Sequence, residues 1–95
     1  MINVVKQALR VSHSALDDEI LDLIEASRMD LIQSGVSNLK ANDDTDALIK
    51  RAIILYAKAN FLVDRDQAMR FQHSYDLLKI HLSLATDYKA SDVNA

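Results

Sequence analysis

Through residues 48–88 apolar side chains recur at three- and four-residue spacing in two long segments, separated by a short polar break around Asp64 and Asp66. That is the period of an α-helix, in which positions three and four apart share a face. Placed around a helix at 100° per residue, the second segment (67–86, with Asp64 or Asp66 as its cap) carries two apolar stripes. Ala68, Phe71, Tyr75, Leu78, Leu82 and Ala85 form the first. Met69, Leu77, Ile80 and Leu84, with His73 among them, form the second on the opposite side. Polar rows divide the two: Gln72, Asp76, Lys79 and Ser83 on one flank, Arg70, Ser74 and His81 on the other. One helix cannot press both stripes into the same three-helix core. The second must meet a partner, or be covered by the chain's own N-terminal helix or tail.

The segment before it, 47–62, is apolar over most of its girth, which predicts a central helix capped by Asp44 or Asp46. Its polar arc holds Lys50, Arg51 and Lys58, and Ile54 and Phe61 fall within that arc, where a monomer should expose them. Upstream, Leu16, Ile20, Leu23, Ile24, Ser27 and Leu31 align on one face of a second helix, opposite Asp18, Asp22 and Glu25. Ser14 and Asp17 suggest a capping box at its start, and Gly35 a left-handed cap at its end. A short helix over 3–10, with Asn3 as N-cap, opens the chain, and 36–45 reads as the one real loop. The expected fold is all-α: a small four-helix bundle, one short N-terminal helix and three longer ones. The domain covers 1–88, followed by a short polar, flexible tail over 89–95.

Composition narrows what such a bundle can do. A chain of 95 residues is one small domain, and its modest buried fraction makes association useful to it. It has no proline and one glycine, in keeping with long helices, and no cysteine, which excludes disulfides and thiolate chemistry. No catalytic residue and no cofactor site are expected: the serines lack a glycine-flanked turn, and no phosphate-cradling glycine loop is present. Nor is a metal site expected. His73 and His81 lie two turns apart, and the acids at Asp17, Asp18, Glu19, Asp22 and Glu25 follow no cation-loop spacing. Residues 1–16 lack the apolar core of a secretory signal, and the longest apolar run, 52–57, is far short of a membrane span. A soluble intracellular protein with no membrane partner is the expectation.

Lys50, Arg51 and Lys58 form the one basic stripe of a chain whose net charge is −3. Three charges interleaved with apolar residues are thin for a phosphate backbone. The plain reading is a solvated surface, and the sharper alternative is a charge-complementary contact with the Asp18, Asp22 and Glu25 side of a neighbouring copy. The alternative from another class is a small helical regulator, either DNA-binding or antitoxin-like, and behind it an accessory subunit of an enzyme.

Three runs carry a resemblance over nearly the whole chain: the opening VVKQALRV (4–11), the acid-led DDEIL and LIEASR (17–28), and LIKRAI through YAKANF (48–61) with its partner FQHSYDLLK (71–79) and the LSL finish (82–84). In these the sequence resembles the head–tail connector, or adaptor, proteins of tailed bacteriophages. It departs from them in having Leu62-Val63 where a glycine-containing turn is expected, and Asp46-Ala47 with no proline before Leu48. The resemblance implies a non-enzymatic helical virion protein that forms a ring of roughly a dozen copies. Such a ring docks on the portal protein, prolongs the channel through which double-stranded DNA passes without specific binding, and meets the next connector or stopper. It implies assembly in the bacterial host cytoplasm, for phage or prophage, and a final place at the virion neck. On this reading the subunit interface comprises Lys50, Ile54, Lys58, Phe61, Met69, His73, Leu77, Ile80 and Leu84. Docking to portal or connector falls to Thr86, Asp87, Tyr88 and Lys89.

Overall fold

Two aspartates start the long C-terminal helices. In the computed structural model, which describes residues 1–91, the chain forms α1 (Ile2–Leu9), α2 (Asp17–Gln33), α3 (Asn38–Ala41), α4 (Ala47–Phe61) and α5 (Arg65–Leu84). Asp46 accepts hydrogen bonds from the amides of Leu48 and Ile49 at 2.9 and 3.1 Å, and Asp64 from those of Asp66 and Gln67 at 3.0 and 3.2 Å. Each thereby satisfies amides that a helix N-terminus leaves unpaired. The fold is all-α, as the periodicity requires.

Four local expectations need correction. Asn3 lies inside α1, which begins one residue earlier with Met1 at its cap and no side-chain bond there. The Ser14–Asp17 capping box does not form; Leu16 precedes α2, and Asp17 pairs instead with Lys6 at 2.7 Å. The loop 36–45 contains a helical turn, α3, because the Ser37 hydroxyl accepts from the Lys40 amide at 3.1 Å and Ala41 is buried beneath it. The polar tail does not begin free at Lys89. The Ala90 amide donates to the Gly35 carbonyl and the Ser37 amide to the Tyr88 carbonyl, both at 2.8 Å, and Val36 and Lys89 form an antiparallel bridge. Residues 92–95 of the expected tail lie outside the described residues.

Gly35 ends α2 as the sequence suggests. Its φ of +115° lets the Val36 amide turn back to the Leu31 carbonyl and its own amide to that of Ile32, a Schellman arrangement that places Val36 in the core. Arg10 adopts the same left-handed region at the end of α1, at φ 60°, without a glycine's freedom.

The core lies around α4, which packs on α1, α2 and α5. Ile49, Ala52, Ile53, Leu55 and Ala57 are buried on it, facing Ile20, Ile24 and Leu31 of α2 and Tyr75 and Leu82 of α5. Contacts fix the helix directions. Tyr56 meets Tyr75 edge-on at 5.2 Å between ring centres, and Lys58 lies 5.0 Å over the Phe71 ring, so α4 and α5 run antiparallel. Asp30 of α2 bonds Tyr75 and Lys79, and Gly35 lies against Ser83; α2 and α5 therefore run the same way, their C-terminal ends together.

Candidate protein-binding surface

The two stripes of α5 separate as their spacing demands. Tyr75 and Leu82 are buried and Phe71 and Leu78 packed against the core, while the opposite stripe stays open. Met69 is 63% exposed, Leu77 57%, Ile80 55% and Leu84 73%, with His73 exposed between them. Among the described residues, neither α1 nor the segment 85–91 covers this row. At 1.5 Å per residue α5 spans roughly 30 Å, so the row is long enough to seat a partner helix.

The α4 arc is less open than its own periodicity suggests. Ile54 and Phe61, expected to be solvent-exposed, are half-buried and packed against the core. A single helix's wheel omits what comes to lie alongside it; here α1 packs on both α2 and α4. Lys50 and Lys58 are also half-buried, and the Lys58 ammonium is engaged by its own Phe71 ring.

Thr86 and Asp87 are exposed, whereas Tyr88 and Lys89 are tied to their own subunit. The Tyr88 hydroxyl donates to both Asp46 carboxylate oxygens, at 3.1 and 3.0 Å, and the Lys40 ammonium lies 5.1 Å over its ring and 3.5 Å from Asp46. Burial opposes ionisation of Asp46. The Ile49 amide, the Tyr88 hydroxyl, the Leu48 amide and Lys40 together outweigh it and hold the carboxyl below its ordinary value. A depressed value adds stability that is complete above the unfolded carboxylate range, near pH 4, and is lost as pH falls through the folded value. Because asparagine also caps helices, Asp46→Asn isolates the charge. Urea unfolding is expected to show a loss of about 0.5–1 kcal/mol at pH 7. The gap from the parent protein is expected to narrow as pH falls below the ordinary carboxylate range and Asp46 takes up its proton.

Sequence reasoning missed two apolar residues on the solvent side of α2, Leu21 and Met29, at 47% and 49% exposure. Both lie outside the buried face that the helical spacing picks out, and that was the available signal. Around them are Asp18, Asp22 and Glu25, all exposed, while the single basic residue of α2, Arg28, is buried. Arg28 donates to the Ala41 carbonyl at 3.0 Å and pairs with Asp44 at 2.7 Å. The outer face of α2 is thus uniformly acidic with two apolar knobs.

Among the described residues no three histidine, cysteine or acidic side chains gather as a metal would need, and no helix is long and apolar enough to cross a membrane. The exposed α5 row and the acidic α2 face are the open surfaces of a small helical protein. The family model described as phage connector protein matches residues 1–89, and the chain belongs to that family. Its role is therefore that of a structural connector of a phage, in a family that is structural and not enzymatic. Comparison with curated proteins and with solved structures gave no match.

Proposed function

We propose that this connector assembles into a ring that docks coaxially on the portal of a tailed phage. There it extends the DNA channel and presents a surface to the next connector or stopper. The observation that carries the reading is the uncovered Met69–Leu84 row: four large apolar side chains, each more than half exposed, on the side of α5 opposite the core. Closed rings arise when one surface patch repeatedly meets a different one on the next copy. The interface is proposed to comprise Met69, His73, Leu77, Ile80 and Leu84 with the adjoining α4 residues Lys50, Ile54, Lys58 and Phe61. Thr86 and Asp87, exposed beyond α5, are the proposed docking points toward portal or stopper; Tyr88 and Lys89 would have to leave the Asp46 and Val36 contacts to join them. A net charge of −3 fits a channel through which DNA slides, since basic side chains are what gain from counterion release. Assembly is placed in the host cytoplasm and the finished ring at the virion neck.

Electron microscopy of the protein mixed with a portal protein from the same phage is the test. A ring of connector density coaxial with the portal is expected. Portal particles that remain bare at saturating connector would overturn the proposal.

A further inference from the structure

The surface that receives the α5 row can be identified, given the ring reading above. We infer that each copy seats its α5 row on the outer face of the next copy's α2, with the two helices parallel and residue n of α2 opposite residue n + 48 of α5.

Two independent observations lead to the same register. The first is height within one subunit. Asp30 reaches Tyr75 and Lys79, which are 45 and 49 positions later, and Gly35 lies against Ser83, 48 positions later. These helices run in the same direction. In a ring whose axis follows the helices, rotation from copy to copy changes neither direction nor height. Residues level within one subunit are then level across the interface, so closure alone sets the offset near 48.

The second observation is the chemistry of the two exposed faces. At that offset Leu21 meets Met69, Met29 meets Leu77 and the half-buried Ile32 meets Ile80, so apolar positions fall on apolar ones. Asp22 falls opposite Arg70, and Glu25 opposite His73. The acidic half of α2 is its N-terminal half, and the arginines of α5, Arg65 and Arg70, also lie in its N-terminal half. An antiparallel seating would set those acids against Ile80 and Leu84 instead. One opposition is unfavourable, Asp18 facing Asp66, but both are exposed at the end of the row and Arg65 is adjacent. Charges at such a rim set register more than affinity.

The chain has no cysteine, so introduced pairs report only the chosen positions. A disulfide forms only where Cα atoms come within about 7 Å. The full-length double variant Met29→Cys/Leu77→Cys, concentrated and mildly oxidised, is expected to give a ladder of covalent multimers beyond the dimer. Each single variant is expected to give none, as is the out-of-register pair Asp22→Cys/Leu84→Cys. Asp22→Arg is expected to lower the cross-linked yield about tenfold and Asp22→Arg/Arg70→Asp to restore it. A covalent dimer from Leu77→Cys alone would overturn the pairing in favour of two α5 rows meeting each other. Multimers seen by sedimentation without a 29–77 cross-link would overturn the pairing and leave the ring standing. A protein that sediments as a monomer and cross-links at no pair, even at the highest concentration, would remove the self-association on which both rest.

Discussion

Replacing Tyr75 by alanine is expected to cost about 3–5 kcal/mol, the range for removing a large aromatic ring from a core. Tyr75 is fully buried and ties three helices together. Its ring meets Tyr56 of α4 edge-on, and its hydroxyl donates to Asp30 of α2 at 2.6 Å. The Lys79 ammonium binds the same Asp30 oxygen at 3.0 Å and lies 5.3 Å over the ring. Burial, then the Asp30 carboxylate, push the hydroxyl well above its ordinary value, so it remains a donor at every pH at which the protein is handled. Domains of this size hold only about 5–15 kcal/mol in total. Each kcal/mol shifts Tm by about 4–8 °C, so a thermal melt followed by circular dichroism is expected to drop by well over 10 °C. Tyr75→Phe separates ring from hydroxyl. It leaves Asp30 with Lys79 and is expected to cost about 1–2 kcal/mol. If the alanine variant lost no more than the phenylalanine variant, the ring would not be a core element and the assignment of the two α5 stripes would be reversed.

That assignment was legible because α5 carries its information in its own spacing. Tyr75 and Leu82 recur with a helix period, Met69 and Ile80 recur half a turn away, and no other element is needed to tell them apart. The caps at Asp46 and Asp64 and the turn at Gly35 were legible for the same reason: each acts on residues within a few positions of itself. What the pattern withheld depends on distant partners. Ile54 and Phe61 are half-buried because of where other elements pack, a matter of tertiary placement that a single helix's periodicity does not contain. Lys89 and Ala90, at the start of the expected tail, pair with Val36 and Gly35 more than fifty positions earlier, a contact between chain segments that no local pattern contains. Leu21 and Met29 are inconspicuous for a different reason: α2 already has one full apolar face for the core, and singly placed apolar residues outside such a face are ordinary on a protein surface.

Ile80→Asp is expected to abolish self-association while leaving the subunit folded, and the two effects can be separated. In the single subunit Ile80 is 55% exposed, so its removal leaves little cavity. Aspartate there is unfavourable on other grounds, being a poorer helix former and lying within the last turns of α5, where the helix dipole disfavours negative charge. Together these are expected to cost up to about 1 kcal/mol, too little to unfold the domain. Ile80→Lys reverses the dipole contribution and is expected to be near neutral for stability. In a contact that buries Ile80 both substitutions forfeit about 1.5–3 kcal/mol of apolar burial and add a charge with no partner. Association is then expected to weaken more than about a hundredfold for either sign of charge. Sedimentation velocity across a concentration series, alongside a thermal melt of each variant, makes the measurement. Equal loss of association in both variants, with a stable Ile80→Lys, identifies an interface. Loss of stability in both, tracking the loss of association, would instead place Ile80 in the subunit's own core and leave the outer row of α5 without a binding role.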